Sequence, residues 1–421
     1  MRPLNVLFMT SWYPTRAQPV RGIFVREHAK AVRLYDRVVV LHLPGPETSP
    51  PYPPLPVGEG DAKAPPPFQG GGRGEGRTPT HQEDRRAAAP LWWLEREADE
   101  TLAEGIPTYR ACYRVSPVPK TSYFVYLWNA LRGFRRIVRD GFRPDVIHAH
   151  VYEAGVPAVL IGKLYGIPVV VAEHFSAFTR RALPSGELRK ARFAFRWARW
   201  VLPVSATLQR SIEEYGIRAR FQVVPNPVDD ALFAGGARSH SPHDPIRLLY
   251  VGALVAPKGV PYLLEALARL DQEQPGSRCQ LDVVGDGPER EAYARRAAEL
   301  GLSDRVTFHG ARSKAEVAAF MHQADLFVLP SLVETFSVAT AEALTAGLPV
   351  LATACGGPEE FVTPEVGRLV PPGDAGALYR GLREMLAVLP SYAPAFISAY
   401  AVERFSPQRV GAVLHAIYGS L

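Results

Sequence analysis

Two carboxylates, Glu334 and Glu342, are separated by seven residues and follow an apolar run that ends at Pro330-Ser331. Residues 325–329 predict a buried parallel strand, and residues 337–346 predict the helix after it. Glu334 would then lie in the turn at the carboxyl end of the strand, where open α/β sheets bind ligands. Since an ionised carboxylate only accepts hydrogen bonds, the pair is suited to binding the hydroxyl groups of a sugar or a ribose.

The start of the same helix adds hydrogen-bond donors. The N–H groups of Phe336, Ser337 and Val338 would face the crevice and bring partial positive charge to a hydroxyl or phosphate group. Glu342, about two turns into the helix, would accept hydrogen bonds from a second part of an extended ligand. The alternative is that Glu334 only caps the helix and that Glu342 only faces solvent.

The surrounding sequence favours the ligand site. Residues 330–353, followed by Gly356-Gly357, resemble the donor-site signature of the family 4 retaining glycosyltransferases. The resemblance extends over nearly the whole chain apart from residues 44–90. It implies a GT-B fold, in which two Rossmann-like α/β domains face a central cleft, with a nucleotide diphosphate sugar as the donor substrate and neither a metal nor another cofactor. It also implies that Glu334 holds the sugar and Glu342 the ribose.

Lys258 is predicted to lie at a helix start on the cleft, because residues 249–260 read as a strand, a turn and a helix that begins near Gly259. A cation there suits a diphosphate whose charge grows as the leaving group departs. Members of the resembled family place their phosphate-binding lysine in this setting. They commonly have arginine where this chain has Ala253, so one expected phosphate contact is missing.

Two further turns of the second half resemble family positions that line the donor site. Gly285 and Asp286 follow a strand, and a glycine turn there lets the backbone approach a ligand closely. His309 lies in a loop that resembles the one beside the nucleotide base. The alternatives are an ordinary tight connection for the first turn and a solvent-facing histidine for the second.

The first half contributes His150 and Gly22. Residues 145–150 end a predicted buried strand, and strand alternation is expected to direct one of its histidines, His148 or His150, toward the crevice. We choose His150, which matches the family histidine that approaches the transferred sugar, while His148 would be a structural hydrogen bonder. Metal ligation by the pair is not expected, because no further ligands recur at suitable spacing. Gly22 matches the family's glycine loop beside the cleft, with a helix-entry glycine as the alternative.

Together these residues predict a metal-independent, retaining hexosyltransferase that moves a sugar from a nucleotide diphosphate sugar to an acceptor hydroxyl, in glycan, glycolipid or cell-envelope polysaccharide synthesis. The expected partners are the nucleotide-sugar donor and a glycan or lipid-linked acceptor. One rival hypothesis is a non-hydrolysing nucleotide-sugar epimerase, which shares the two-domain fold and needs no acceptor. A second rival is a catalytically silent protein that binds sugar nucleotides. The base, the sugar and the acceptor are not identified by these motifs.

The composition indicates the number of domains and the classes of partner. The chain has 421 residues, 47% of them hydrophobic, which predicts two domains with sizeable cores. Its 48 Lys and Arg residues exceed its 42 Asp and Glu residues, so anionic partners are favoured. No nucleic-acid recognition motif accompanies this charge, and we expect no nucleic-acid partner. Cys112, Cys279 and Cys355 are far apart and suggest neither disulfides nor a zinc site.

Alternating strand and helix patterns predict a parallel α/β architecture in both halves, with one of the helices over residues 187–200. The predicted strands are residues 5–10, 37–43, 145–150, 168–173 and 201–205 in the first half, and 246–251, 280–285, 306–309, 326–329 and 350–353 in the second. We assign residues 1–228 to an acceptor-binding domain, 229–395 to a nucleotide-sugar-binding domain, and 396–421 to a C-terminal helix that crosses back to the first domain. Residues 44–90 hold twelve prolines and eight glycines and are expected to be a disordered or loose insertion. The amino terminus reads as a first strand and not as a signal peptide, which together with the cysteine usage predicts a cytoplasmic protein.

Two basic stripes suggest that the protein also contacts a membrane. Four arginines fall on one predicted helix face between residues 132 and 139, and four more between 189 and 199 lie beside Phe193, Trp197 and Trp200. Such basic and aromatic faces can rest on anionic lipid headgroups at the inner face of a membrane. The alternative is that these aromatic residues belong to the core.

Overall fold

A computed structural model describes residues 2–15, 18, 21–44, 92–97, 104–113, 119–235, 243–273 and 279–421. The predicted insertion at residues 44–90 therefore lies outside the described residues, apart from residue 44. The described residues form two α/β domains, each built on one sheet. The domain of the N-terminal sheet is called the first layer, and the other the second layer. The predicted fold class is confirmed.

The first sheet has the strand order β3-β4-β2-β1-β5-β6-β7 and is parallel except at its edge, where β3 pairs antiparallel to β4. Its strands are β1 Asn5–Thr10, β2 Arg37–His42, β3 Trp92–Arg96, β4 Thr108–Tyr113, β5 Val146–His150, β6 Val169–Glu173 and β7 Trp200–Pro203. Its helices are α1 Ile23–Arg33, α2 Pro119–Arg139, α3 Val151–Tyr165, α4 Ser185–Trp197 and α5 Ala206–Glu214. The central strands β1 and β5 are almost fully buried, as expected for a sheet covered by helices on both faces.

The second sheet is parallel throughout and has the order β10-β9-β8-β11-β12-β13. Its strands are β8 Ile246–Val251, β9 Cys279–Val284, β10 Val306–Gly310, β11 Leu326–Leu329, β12 Val350–Thr353 and β13 Gly367–Val370. The helices of this half are α6 Asp230–Phe233, α7 Val260–Glu273, α8 Arg290–Glu299, α9 Lys314–Gln323, α10 Val338–Thr345 and α11 Ala375–Val388. Because β8 lies between β9 and β11, the loops that follow these three strands meet at one edge.

The chain ends with α12 Pro394–Phe405 and α13 Pro407–Gly419. Helix α12 packs on α10 of the second layer, whereas α13 packs on α1 of the first. Leu414, Ile417 and Tyr418 of α13 are buried in the same cluster as Phe8 and Val25. The end of the chain thus completes the core of the first layer. The domain boundaries at 228 and 395 remain predictions.

Several predicted elements differ from the structure at their ends. The helix expected over residues 187–200 ends at Trp197, and Trp200 instead opens strand β7. The change occurs at Ala198, whose backbone is extended, and the Arg199 N–H donates to the carbonyl of Val169 in β6. Strands β3, β4 and β13 are absent from the sequence prediction. Within the described residues, Cys279 and Cys355 are free and buried.

Among the described residues, no single helix has both the length and the apolar composition needed to cross a membrane. The segments 375–391 and 394–419 satisfy the criteria only when taken together, across a bend of 104°.

Candidate active site

Glu334 is held at the carboxyl edge of the second sheet by the loops around it. Its N–H donates to the carbonyl of Cys355 at 2.8 Å, and its own carbonyl accepts from Gly357 N–H at 3.0 Å. These bonds fasten the loop after β11 to the loop after β12, the neighbouring strand. The Glu334 side chain is buried, and its Oε1 accepts a hydrogen bond from Ser331 Oγ at 2.8 Å. The carboxylate is therefore fixed before any ligand arrives.

Lys258 meets Glu334 directly. Lys258 ends a short 3-10 turn, Ala256–Lys258, after β8, and the N–H of Leu332 donates to the carbonyl of Pro257 at 2.8 Å. This bond joins the loops after adjacent strands and places Lys258 Nζ 2.5 Å from Glu334 Oε1. The structure thus brings together the predicted diphosphate-binding cation and the predicted sugar-binding carboxylate as one ion pair.

Helix α10 begins just beyond this pair. Ser337, its N-cap, has a φ of 70°, a left-handed conformation that is uncommon for a residue other than glycine. The Phe336 ring is buried against Phe361 and Phe405, at 5.3 and 5.5 Å between ring centroids. This leaves Phe336, Ser337 and Val338 to act through their backbone N–H groups at the helix start, where intrahelical acceptors are lacking. The backbone strain at Ser337 fits a site that must present these groups in a fixed direction.

Glu342 lies on α10 and is buried rather than solvated. Its Oε1 lies 3.6 Å from Lys314 Nζ, and Lys314 also lies 3.8 Å from Glu27 Oε1 of helix α1. Burial raises the pKa of Glu342 to about 7, while Lys314 lowers it and the carboxylates of Glu27 and Asp229 raise it. Burial thus favours the protonated form of the predicted ribose-binding group, and Lys314 favours its ionised form.

The predicted glycine turn after β9 packs against the turn after β8. Gly285 has a φ of 140°, and a Cβ there would lie 1.9 Å from the carbonyl oxygen of Gly252, so only glycine fits. Asp286 is exposed, accepts a hydrogen bond from Gly287 N–H at 2.8 Å and faces Arg290 at 3.6 Å. This turn therefore lies beside Ala253, where the missing arginine would be.

His309, predicted to lie beside the base, is half-buried at the end of β10. Its Nε2 lies 2.6 Å from Asp282 Oδ1, and its ring contacts Phe320 with centroids 4.6 Å apart. Both contacts fix the ring in place. The predicted role of His309 toward a nucleotide base stays a prediction.

His150 lies at the end of β5, opposite Thr10 of β1, but its ring is fully buried. The expectation that alternation separates His148 from His150 was wrong, because residues two apart on a strand point to the same face. Their rings stack 4.4 Å apart, and His150 Nδ1 lies 3.2 Å from His174 Nε2. Burial lowers the pKa of His150 well below its usual range, so the ring is neutral. Its Nε2 has no hydrogen-bond partner among the described residues.

Gly22 and His148, the other two residues of the first layer considered in the sequence analysis, make structural contacts. Gly22 is the N-cap of α1 with a φ of 69°, and a Cβ there would lie 2.3 Å from the carbonyl oxygen of Trp12. It therefore allows two backbone segments to touch, as the helix-entry alternative requires. The Nδ1 of His148 bonds with Tyr418 Oη of α13 at 2.6 Å.

Several residues that the sequence analysis missed also lie at this edge. Val151, the residue after His150, has a φ of 68°, which for a β-branched side chain signals backbone strain. Glu173 is fully buried and accepts from the N–H groups of Tyr152, His174 and Phe175 at 2.9–3.0 Å. A carboxylate at the end of an apolar strand was the available signal for Glu173. No sequence spacing indicates Lys314 or the strain at Val151.

The two layers touch at these edges. Thr335 Oγ1, next to Glu334, donates to the carbonyl of His174 at 3.4 Å. Glu360 of the second layer accepts from the N–H groups of Ala206 and Thr207 at the start of α5, at 2.9 and 2.7 Å. Lys314 also joins Glu342 to Glu27 of the first layer, so both Glu334 and Glu342 lie close to that layer. No group of three or more metal-ligating side chains occurs within the described part of the chain.

Comparisons with known proteins agree with this architecture. The family model described as "Glycosyl transferases group 1" matches residues 237–391, and "Glycosyltransferase Family 4" matches residues 80–232. A glycogen synthase of Mycobacterium tuberculosis is 31% identical over 255 residues, covering 58% of this chain and 61% of that protein. A D-inositol 3-phosphate glycosyltransferase of Frankia alni is 30% identical over 271 residues, covering 59% of this chain and 67% of that protein.

Solved structures show the same fold. Anabaena HepE in complex with UDP has a TM-score of 0.69 at 21% identity, and the match covers 100% of both chains. The chain spans 61% of the length of the glycogen synthase, so the activity of that protein does not transfer by similarity alone. The two family models lie side by side along the chain. The group 1 model covers all of the second sheet, β8 to β13, and the family 4 model covers β3 to β7 of the first sheet. The chain belongs to the family 4 glycosyltransferases.

Proposed function

We propose that the protein is a retaining glycosyltransferase that moves a sugar from a nucleotide diphosphate sugar to an acceptor hydroxyl. The observation that carries the proposal is the Lys258–Glu334 pair at the start of α10, with Glu342 farther along the same helix. A cation and the N–H groups at a helix start stabilise a diphosphate, while two carboxylates accept hydrogen bonds from hydroxyl groups. One ligand that carries both kinds of group is a sugar nucleotide.

In this mechanism the acceptor hydroxyl attacks from the face that the diphosphate leaves. The bond from the anomeric carbon to the diphosphate oxygen breaks, the bond to the acceptor oxygen forms, and the leaving oxygen takes the acceptor proton. Lys258 and the N–H groups of Phe336, Ser337 and Val338 stabilise the charge that develops on the diphosphate. Glu334 orients the sugar and Glu342 the ribose. Lys258 and these N–H groups supply the positive charge without a metal ion, and transfer should therefore persist in EDTA.

The experiment measures nucleotide release from UDP-, GDP- and ADP-sugars with a membrane extract as acceptor, and analyses both the product and the recovered donor. Release that depends on the extract, with the anomeric configuration of the donor retained in the product, supports the proposal. An isomerised donor without release would instead identify a nucleotide-sugar epimerase. Donor binding without either reaction would favour the silent binder.

We also propose that one face of the first layer rests on an anionic membrane, which would bring a lipid-linked acceptor to the cleft from the cytoplasmic side. Phe124 and Trp128 of α2, Leu164 of α3 and Trp197 of α4 expose 73, 54, 63 and 48% of their surface. Helix α3 packs against both α2 and α4, so these side chains share one side of the molecule. Exposed apolar groups bordered by arginines fit a surface of anionic headgroups.

The structure refines which residues of the two stripes can act in this way. Arg132, Arg135 and Arg139 of α2 and Arg189, Arg192 and Arg196 of α4 are exposed. Arg136 is exposed as well and pairs with Asp140 at 2.9 Å. Phe193 packs against the core, and Trp200 lies under Arg220 in a strand.

Sedimentation with phosphatidylglycerol vesicles tests the membrane proposal. The double variant Phe124→Ser, Trp128→Ser should bind these vesicles several-fold more weakly, while donor turnover with a soluble acceptor stays unchanged. Phe396→Ser, which alters a half-exposed ring on α12, is the control and should bind normally. Equal vesicle binding by the double variant and the wild type would overturn the proposal.

A further inference from the structure

Lys314 is the first residue of α9 and is held in place by the cap of that helix. Ser313 Oγ accepts the Glu316 N–H, and the Glu316 carboxylate accepts the Ser313 N–H at 2.9 Å, so both ends of a capping box are present. The cap fixes the direction in which the Lys314 side chain leaves the helix. Its Nζ then lies 3.6 Å from Glu342 and 3.8 Å from Glu27.

The groups around Glu342 come from several elements. Lys314 of α9 faces it as a cation, while Glu27 of α1 and Asp229 ahead of α6 face it as carboxylates. Two carboxylates near a third disfavour its ionised form, and burial disfavours it further. Lys314 opposes both effects, and it does so from the second layer while also contacting the first.

We propose that Lys314 is a positioning residue that keeps Glu342 ionised and aimed at the ribose of the donor, and that it ties this carboxylate to Glu27 of the first layer. The proposal rests on the proposed function, because it takes Glu342 as the ribose-binding group. An ionised carboxylate accepts a hydrogen bond from each of two neighbouring ribose hydroxyls, whereas a protonated one loses an acceptor oxygen. Lys314 thereby makes recognition of the ribose depend on the approach of the two layers.

The test measures binding of UDP, GDP and ADP by calorimetry between pH 6 and 9. In Lys314→Met the affinity should fall several-fold at pH 7.5, because loss of the cation raises the pKa of Glu342 above the pH and lowers its ionised fraction, and should largely recover at pH 9. Lys314→Arg keeps the cation and should bind like the wild type. Arg312→Met removes a neighbouring cation that pairs with Glu316 and is the matched control.

Glu27→Gln should shift the pH dependence of nucleotide binding in the direction opposite to Lys314→Met. It removes a carboxylate that opposes ionisation of Glu342 and should therefore extend binding to lower pH. The 2′,3′-dideoxy counterpart of each nucleotide separates the ribose from the phosphates. Lys314→Met should not weaken binding of these analogues.

The outcomes distinguish the two proposals. Equal nucleotide affinity of Lys314→Met and the wild type across the pH range, in protein with an unchanged melting temperature, would overturn the role of Lys314. A loss that is the same at pH 6 and pH 9, or that extends to the dideoxy nucleotides, would also overturn it. If the wild type bound none of the three nucleotides, the proposed function itself would be overturned.

Discussion

Lys258 Nζ and Glu334 Oε1 lie 2.5 Å apart, although the two residues follow different strands of the second sheet. Each is the group that a sugar nucleotide would need at a different place, the cation at the diphosphate and the carboxylate at the sugar. Their contact means that the diphosphate and the sugar must meet where these side chains meet. The bond that breaks in transfer joins these two parts of the donor.

Replacing Glu334 by alanine should abolish transfer and leave the fold intact. The carboxylate is the predicted sugar contact, and its backbone bonds to Cys355 and Gly357 do not depend on the side chain. We expect the initial rate to fall at least about 100-fold, equivalent to roughly 2.7 kcal/mol. Glu334→Gln keeps the shape as a control for packing. Turnover near that of the wild type would show that Glu334 is not the sugar contact.

Replacing Lys258 by methionine should weaken donor binding and slow transfer. A hydrogen bond to a charged group contributes about 1.5–3 kcal/mol, so the affinity for the nucleotide diphosphate should drop about 10- to 100-fold. Lys258→Arg should retain most of it. Calorimetric titration with the nucleotide provides the measurement, and unchanged affinity in Lys258→Met would assign phosphate binding to other groups.

Introducing arginine at position 253 should strengthen donor binding. Ala253 stands where related sequences commonly have arginine, and Tyr250 Oη donates to its carbonyl at 3.0 Å, which fixes the backbone from which the new side chain would extend. We expect the nucleotide affinity of Ala253→Arg to rise about tenfold, since a charged hydrogen bond contributes about 1.5 kcal/mol or more. Weaker binding would indicate that this chain fills the position in another way.

Acidification below pH 6.5 should destabilise the protein. Burial lowers the pKa of His28 to about 4 and that of His42 to about 3, and those of His148, His150 and His174 well below their usual range. The unfolded chain takes up these protons near pH 6.5 and the folded chain does not, so stability is lost as pH falls. Each such histidine contributes up to about 1.4 kcal/mol per pH unit.

Glu173 and Glu342 act in the opposite direction. Burial raises the pKa of both to about 7, so the folded protein binds their protons first and gains stability below that pH. Burial also raises the pKa of Glu153. Because the five histidines outnumber the three carboxylates, the net change should be a loss. Urea unfolding at pH 7.5 and 5.5 measures it, and equal unfolding free energies would contradict the predicted balance.

The sequence was informative where function depends on neighbours along the chain. The strand that ends at Leu329, the helix of Glu342 and the turn of Lys258 follow from apolar periodicity and glycine placement. The Lys258–Glu334 contact does not follow, because it requires β8 and β11 to be adjacent in the sheet, and strand order is set by packing of the whole layer. The Lys314–Glu27 contact could not be predicted either, because it depends on how the two layers pack against each other.

His150 shows a different limit. Its place at the end of a buried strand was predicted, but its exposure was not. Phe8 stacks on it at 4.9 Å and His174 at 5.4 Å, and both come from other strands or their ends. Periodicity gives the face on which a side chain lies and carries no information about what covers that face.

Helix α13 has a consequence for how the chain acquires its structure during synthesis. Residues 407–419 fill part of the core around β1 and α1, so the first layer cannot be completed until this helix has left the ribosome. The apolar face of α1 stays uncovered while the second layer is synthesised. The contacts that finally bury it join segments far apart in sequence. Such contacts slow folding and leave apolar surface transiently exposed. The two layers are therefore expected to mature together, with the earlier-made one finishing last.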